Sequence, residues 1–179
     1  MNADTHAQST GCRFTEPRLV TVHARDVLAV DGTGAPESPA FTSAIGALFA
    51  LRGALGPAAD VPLEGTYNQD GDPLRFDLHD PDGWRWQLLV PAPAGATAET
   101  VAATGIDPRI RLVRQPEEQV ARLVHHGPYA DEQPSLDALY AYVGSAGRTA
   151  CGPHTEVYVT DPSTTPPAEL RTWLQVPVR

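Results

Sequence analysis

One order of elements, met twice along the chain, constrains the fold more than any other feature. Pro17 to Val30 is rich in Leu and Val, reads as a strand with room for a bulge, and ends at the glycine turn Asp31-Gly32-Thr33-Gly34. Phe41, Ile45, Leu48, Leu51 and Leu55 recur at spacings of three and four, with Pro39 placed to open a helix and Gly56-Pro57 to close it, which predicts a helix over 39–55. Val61 to Tyr67, Leu74 to Leu78 and Trp84 to Val90 follow as short strands separated by Asp/Gly/Pro turns. Pro91 to Ala98 (PAPAGATA) then breaks the pattern, and the order starts again. Ile110–Val113 and Gln119–His125 have strand character, Leu136, Leu139, Tyr140 and Val143 mark a helix over 134–145, and His154–Thr160 and Leu170–Val178 complete the set as strands.

The expected fold is therefore α+β, a tandem pair of β-α-β-β modules over 17–92 and 105–179 behind a loose polar tail, 1–16. A three-stranded antiparallel sheet with one helix has little core of its own, so two such units are expected to pack about a pseudo-two-fold axis as one domain, 17–179. Their junction leaves a groove, and equivalent positions in the two halves face its occupant from opposite sides. One echo supports the duplication: a glutamate soon followed by a tyrosine after each helix, Glu64 with Tyr67 and Glu156 with Tyr158.

Charge and composition narrow the function. Against 22 acidic residues stand 13 basic ones, a formal charge of −9, and no basic cluster offers a footprint for phosphate backbones or anionic lipid. Direct nucleic-acid or membrane binding is not expected, and the partner expected is small. Every basic residue is Arg, which excludes Schiff-base and P-loop lysine chemistry. Cys12 and Cys151 have no metal or disulfide spacing, the neighbours His125 and His126 point to opposite faces of a strand, and no GxSxG elbow occurs, so neither a metal, a cofactor nor acyl-enzyme chemistry is expected. The polar start of the chain lacks the apolar run of a signal peptide, so the expected location is the cytoplasm.

The candidate site residues follow from strand alternation. In His154-Thr155-Glu156-Val157-Tyr158-Val159 the valines share one face, and His154, Glu156 and Tyr158 the other. If the valines face the helix, the second face looks into the groove, with a carboxylate that can act as base, a phenol that can donate, and an imidazole. The alternative is a solvated Glu156 on an exposed strand face. Glu64 precedes Gly65, which admits a bulge or close backbone approach; without a bulge Glu64 and Tyr67 point to opposite faces, and Glu64 is either a site carboxylate or a surface one. Trp84 and Trp86 share a face with Leu88 and Val90, so they are either core or, with Phe49, Tyr67, Tyr129 and Tyr158, an aromatic cage for a flat ligand.

Several short motifs in the same order resemble a known family. His126-Gly127-Pro128-Tyr129, Asp131-Glu132-Gln133-Pro134, His154 to Asp161 and the closing Leu170–Val178 resemble the GyrI-like small-molecule-binding family. Phe41, Ile45 to Leu51, Pro62-Leu63-Glu64-Gly65 and Trp86 are similar to its stand-alone subgroup that includes cyclopropanoid cyclopropyl hydrolases. The resemblance covers 17–179. It implies SHS2-type modules about a central groove and cofactor-free hydrolysis of the spirocyclopropane in DNA-alkylating natural products of the yatakemycin and duocarmycin type, as self-resistance or detoxification. It also implies roles: Glu156 as general base, Glu64 as a second carboxylate facing it, Tyr158 as donor, and Phe49, Tyr67, Trp84, Trp86, Tyr129 and His154 around a flat aromatic ligand. The alternative within the family is a non-catalytic module that sequesters a drug or modulates a protein partner such as DNA gyrase.

Overall fold

The computed structural model describes residues 14–36, 38–57, 61–69 and 83–179. The expected strand Leu74–Leu78 and the first thirteen residues of the expected tail lie outside these.

The fold is α+β: among the described residues eight antiparallel strands form a single sheet in the order β1-β6-β8-β7-β3-β4-β2-β5. The strands are β1 (Arg18–Val22), β2 (Arg25–Thr33), β3 (Leu63–Gln69), β4 (Trp84–Pro91), β5 (Arg111–Gln115), β6 (Glu118–His126), β7 (Thr155–Tyr158) and β8 (Arg171–Pro177). The α-helices among the described residues are α1 (Pro39–Leu55), α2 (Ala98–Ala103) and α3 (Gln133–Ser145). α1 packs over β2 and β4, and α3 over β6 and β8.

Exchanging β1–β4 for β5–β8 reproduces the same strand order read backwards, which is the mark of a pseudo-two-fold axis between β3 and β7. The leading hairpins match in detail: β1 and β5 each run five residues, and β2 and β6 each run nine. Laying β2 on β6 places Gly32 on His125. The cross-strand pairings then place Trp86 on Thr172, Tyr67 on Tyr158 and Gly65 on Glu156.

Two expectations are corrected. Pro17–Val30 is not one bulged strand: the chain turns at His23-Ala24, β1 pairs with β6 of the other half, and β2 pairs with β4 and β5. Each leading strand thus covers an edge of the opposite half's sheet, and an edge so covered is no longer a template for aggregation. The Pro/Ala/Gly break is also followed by α2, whose start is fixed by a capping box between Thr97 and Thr100. Phe14 bridges to His125, and Thr15 bonds Val124 through both its backbone and its hydroxyl, so this end of the expected tail is pinned to the sheet.

Two separate cores lie under the two large helices. Leu28, Val30, Phe41, Leu48, Leu51 and Leu88 belong to the first, and Leu123, Leu136, Leu139, Val143 and Leu174 to the second. The Val27–Val30 run is buried on both faces, Leu28 and Val30 beneath α1 and Val27 and Ala29 against Leu89. α1 begins where the Ser38 hydroxyl accepts from the Phe41 amide at 3.3 Å, with proline at its first position, where a missing N–H costs nothing. With each core under its own helix, the central strands β3 and β7 lie between the helices and floor a groove.

Candidate functional site

The groove has a volume of about 1100 Å³, at the upper end of what drug-sized ligands occupy. Glu156, Tyr158, Tyr67 and Leu63 line it from the central strands. Phe41, Ile45 and Phe49 of α1 form one wall, and Tyr129, Ala130 and Glu132, ahead of α3, form the other. Phe49 is 39% exposed and stands at the mouth.

Gly65 sets the floor. It pairs with Glu156 across β3 and β7, and a Cβ at this position would lie 2.7 Å from the Tyr67 hydroxyl and 2.8 Å from its ring carbons. With hydrogen there instead, the Tyr67 ring folds over the strand, and its hydroxyl lies 2.5 Å from that of Tyr158. Tyr158 in turn donates to Glu156 Oε2 at 2.8 Å. Since the Tyr158 proton is committed to the carboxylate, Tyr67 is the donor to Tyr158. His154 closes the other side of the carboxylate, with Nε2 3.3 Å from Glu156 Oε1, and stacks on Tyr67 with ring centroids 5.8 Å apart.

A second carboxyl, Glu132, completes the cluster. It is buried, and its Oε1 has no hydrogen-bond partner among the described residues. Burial raises its pKa well above the ordinary carboxyl range; the neighbouring Glu156 adds to this, and Thr172 opposes it. The shift favours the neutral form of Glu132, a potential donor beside the acceptor Glu156. His125 fixes the segment that carries it: on β6, buried, it bonds the Ser135 hydroxyl at 2.8 Å and the Pro128 carbonyl at 3.2 Å. Tyr129, on the same segment, packs edge-on to Tyr158 at 5.5 Å. Burial raises the phenols of Tyr67 and Tyr158 well above their usual range and that of Tyr129 to about 12, in each case with the charge of Glu156 adding to the effect.

The sequence-derived candidates divide into two groups. Glu156, Tyr158, Tyr67, Trp84, Tyr129 and Phe49 all line the groove, and His154 sits directly behind Glu156. Glu64 and Trp86 do not line it. Glu64 is opposite Val157, one residue out of step with Glu156 and so on the other face of the sheet. There it is buried and accepts both ends of the Arg25 guanidinium at 2.6 and 2.5 Å. The expected facing pair of Glu64 and Glu156 is thus replaced by Glu132 and Glu156. Trp86 lies in the first core, edge-on to Phe41 at 5.1 Å and over Gly32, where a Cβ would come within 2.1 Å of its ring. Sequence reasoning missed Glu132 as a site residue. A glutamate directly ahead of a helix reads as a solvated helix-start acid, whereas the neighbours of this buried one, Glu156 on β7 and Thr172 on β8, are distant along the chain.

Residues 91–179 match the model of the GyrI-like small molecule binding domain. No curated protein sequence matches at a significant level. Among solved structures the chain is similar to an uncharacterized conserved protein from Listeria innocua, at 26% identity and a TM-score of 0.81, with 92% of each chain covered. Two structures described as hydrolases from the same organism are similar at 25% and 23% identity, each with a TM-score of 0.75 and 92% of both chains covered.

Proposed function

We propose that the chain is a cofactor-free hydrolase that opens the spirocyclopropane of DNA-alkylating natural products of the yatakemycin and duocarmycin type. The observation that carries this reading is the hydrogen-bonded chain Tyr67–Tyr158–Glu156, with the buried carboxyl of Glu132 in the same lining, set in the floor of a large apolar groove. Halves 17–92 and 105–179 act as one unit on this reading, because the floor lies at their junction. The similarity to a Listeria innocua hydrolase points the same way.

The reaction adds one water. Glu156 aligns the water and takes its proton as the oxygen attacks the cyclopropane methylene. The breaking C–C bond sends its electron pair into the dienone, whose oxygen becomes a phenolate. Glu132 or Tyr158 protonates that oxygen, and the proton on Glu156 restores the acid. Phe41, Phe49, Tyr129 and Trp84 hold the flat ring system and exclude bulk water, which strengthens each of these interactions.

A second reading is a module that sequesters such a ligand or modulates a protein partner without chemistry. It is favoured by the engagement of both Glu156 oxygens by Tyr158 and His154. Mass spectrometry separates the two, with a duocarmycin-type spirocyclopropane in excess over protein. Hydration of many equivalents per protein, reduced at least about 100-fold in Glu156→Gln with ligand binding retained, is the expected result. Recovery of intact compound beyond one bound equivalent establishes sequestration instead.

A further inference from the structure

Arg18 on β1 and Arg122 on β6 stand directly opposite each other, on the sheet face away from α3. Like charges opposed across an antiparallel pair are destabilising. The pseudo-symmetric position shows how the fold treats one such arginine. Arg111, the counterpart of Arg18, faces Ala29 and forms an ion pair with Asp31. On the Arg18 side the residue at the place of Ala29 is Arg122, and the residue at the place of Asp31 is Val124. The positive charge is doubled, and the counter-ion is gone.

Arg122 is nonetheless held in place. Its Nε and Nη2 donate to Gln175 Oε1 at 2.9 and 2.6 Å, and its guanidinium lies 4.5 Å from the Trp173 ring centroid. Among the described residues no carboxylate forms an ion pair with either arginine; Glu64, the nearby acid on this face, is taken by Arg25. Partial burial lowers the Arg122 pKa, and Arg18 and Arg25 lower it further against the opposing pull of Glu64. A cavity of about 120 Å³ is lined by Thr15, Arg18, Arg122 and Trp173. That is roughly four times a water's share of the liquid, room for one oxyanion and not for a polycyclic ligand.

We propose that Arg18 and Arg122 form a binding site for an oxyanion group, phosphate or carboxylate, bridged between the two guanidinium groups. Arginine suits this task because its planar donors match the oxygens of both groups and its charge is retained when partly buried. The site is on the other side of the sheet from Glu156 and does not depend on the reading of the groove, although Trp173 lines both cavities.

Titration calorimetry with inorganic phosphate, and separately with acetate, at ionic strength fixed with chloride tests the site, with tryptophan fluorescence recorded alongside. A saturable phosphate or acetate isotherm that weakens at least tenfold in Arg18→Gln and in Arg122→Gln is expected, with the fluorescence change lost in Trp173→Phe. Acetate binding as tightly as phosphate identifies a carboxylate site, and phosphate preference a phosphate site. Arg18 is exposed, so Arg18→Gln tests the proposal even if Arg122→Gln misfolds. Glu156→Gln leaves the isotherm unchanged, whatever it does to hydrolysis. Absence of saturable binding to either anion, binding unchanged in Arg18→Gln, or a fluorescence change that survives Trp173→Phe overturns the proposal.

Discussion

The two halves share a scaffold and divide the work of the groove unequally. At superposed positions the first half carries Gly32, Gly65 and Trp86 where the second carries His125, Glu156 and Thr172; Tyr67 and Tyr158 are the matched pair between them. The first half therefore supplies shape: a glycine over which Tyr67 folds, a tryptophan filling its own core, and the apolar wall of α1. The second supplies charge and protons: Glu156, Glu132 and His154, with His125 holding the segment that bears Glu132. A large titratable cluster placed in both halves would set four carboxyls against one another in an apolar site, where each like charge disfavours the next. Asymmetry at the axis lets one proton-sharing pair exist without a second.

The sharpest way to break that division is to attack the first half and look for a loss of chemistry. Trp86→Ala is expected to cost about 3–5 kcal/mol of stability, as for other buried tryptophans, and to leave turnover per folded molecule within a few-fold of wild type. Chemical denaturation and hydrolysis assays on the folded fraction measure the two separately. A collapse of turnover with stability intact would return Trp86 to the ligand cage. Glu64→Ala strips the partner from the buried end of Arg25; the cost is expected near about 3 kcal/mol, the lower end for a buried pair, because a third of the Arg25 side chain still reaches water. Its effect on hydrolysis should again be small, whereas a catalytic Glu64 would reverse that order.

How much of this was legible in the sequence depended on distance along the chain. Helices α1 and α3 and the face shared by His154, Glu156 and Tyr158 follow from local periodicity, and the chain folds accordingly. The swap of β1 and β5 between halves was hidden, because which strand an edge pairs with is set by contacts about a hundred residues away. The Glu64/Glu156 echo misled by one residue, and in a strand one residue turns a side chain to the opposite face. Glu132 falls within the motif Asp131-Glu132-Gln133-Pro134, but nothing local distinguishes a buried glutamate from a helix-start one.

Gly65→Ala probes the contact on the axis itself. The added methyl would meet the Tyr67 ring and hydroxyl well inside contact distance, so Tyr67 must swing away from Tyr158. A loss of about 1–3 kcal/mol is expected, typical of overpacking, together with a fall in turnover that Tyr67→Phe reproduces without the loss of stability. If Gly65→Ala hydrolyses normally, the Tyr67 link of the proton chain is dispensable and the second half acts alone.

The smallest effect tests the charge side directly through pH. Glu132 holds its proton in the folded protein above the 4.5 expected of the unfolded chain. Between those two values the unfolded state has released a proton that the native state retains, so stability falls as pH rises, by at most about 1.4 kcal/mol per pH unit for one group. Below pH 4.5 both states carry the proton, and this contribution is flat. Glu132→Gln cannot ionise, and the variant should gain stability relative to wild type across the window upward from pH 4.5 while matching it below. Denaturation midpoints for both proteins, taken at half-unit steps from pH 4 to pH 8, give the difference curve. Because Glu132 and Glu156 share a site, that curve reports the pair. A Glu156→Gln background should shorten the window by removing the neighbouring charge, and a curve that is flat in wild type would show that Glu132 ionises as an ordinary carboxyl does and that the groove holds two charges.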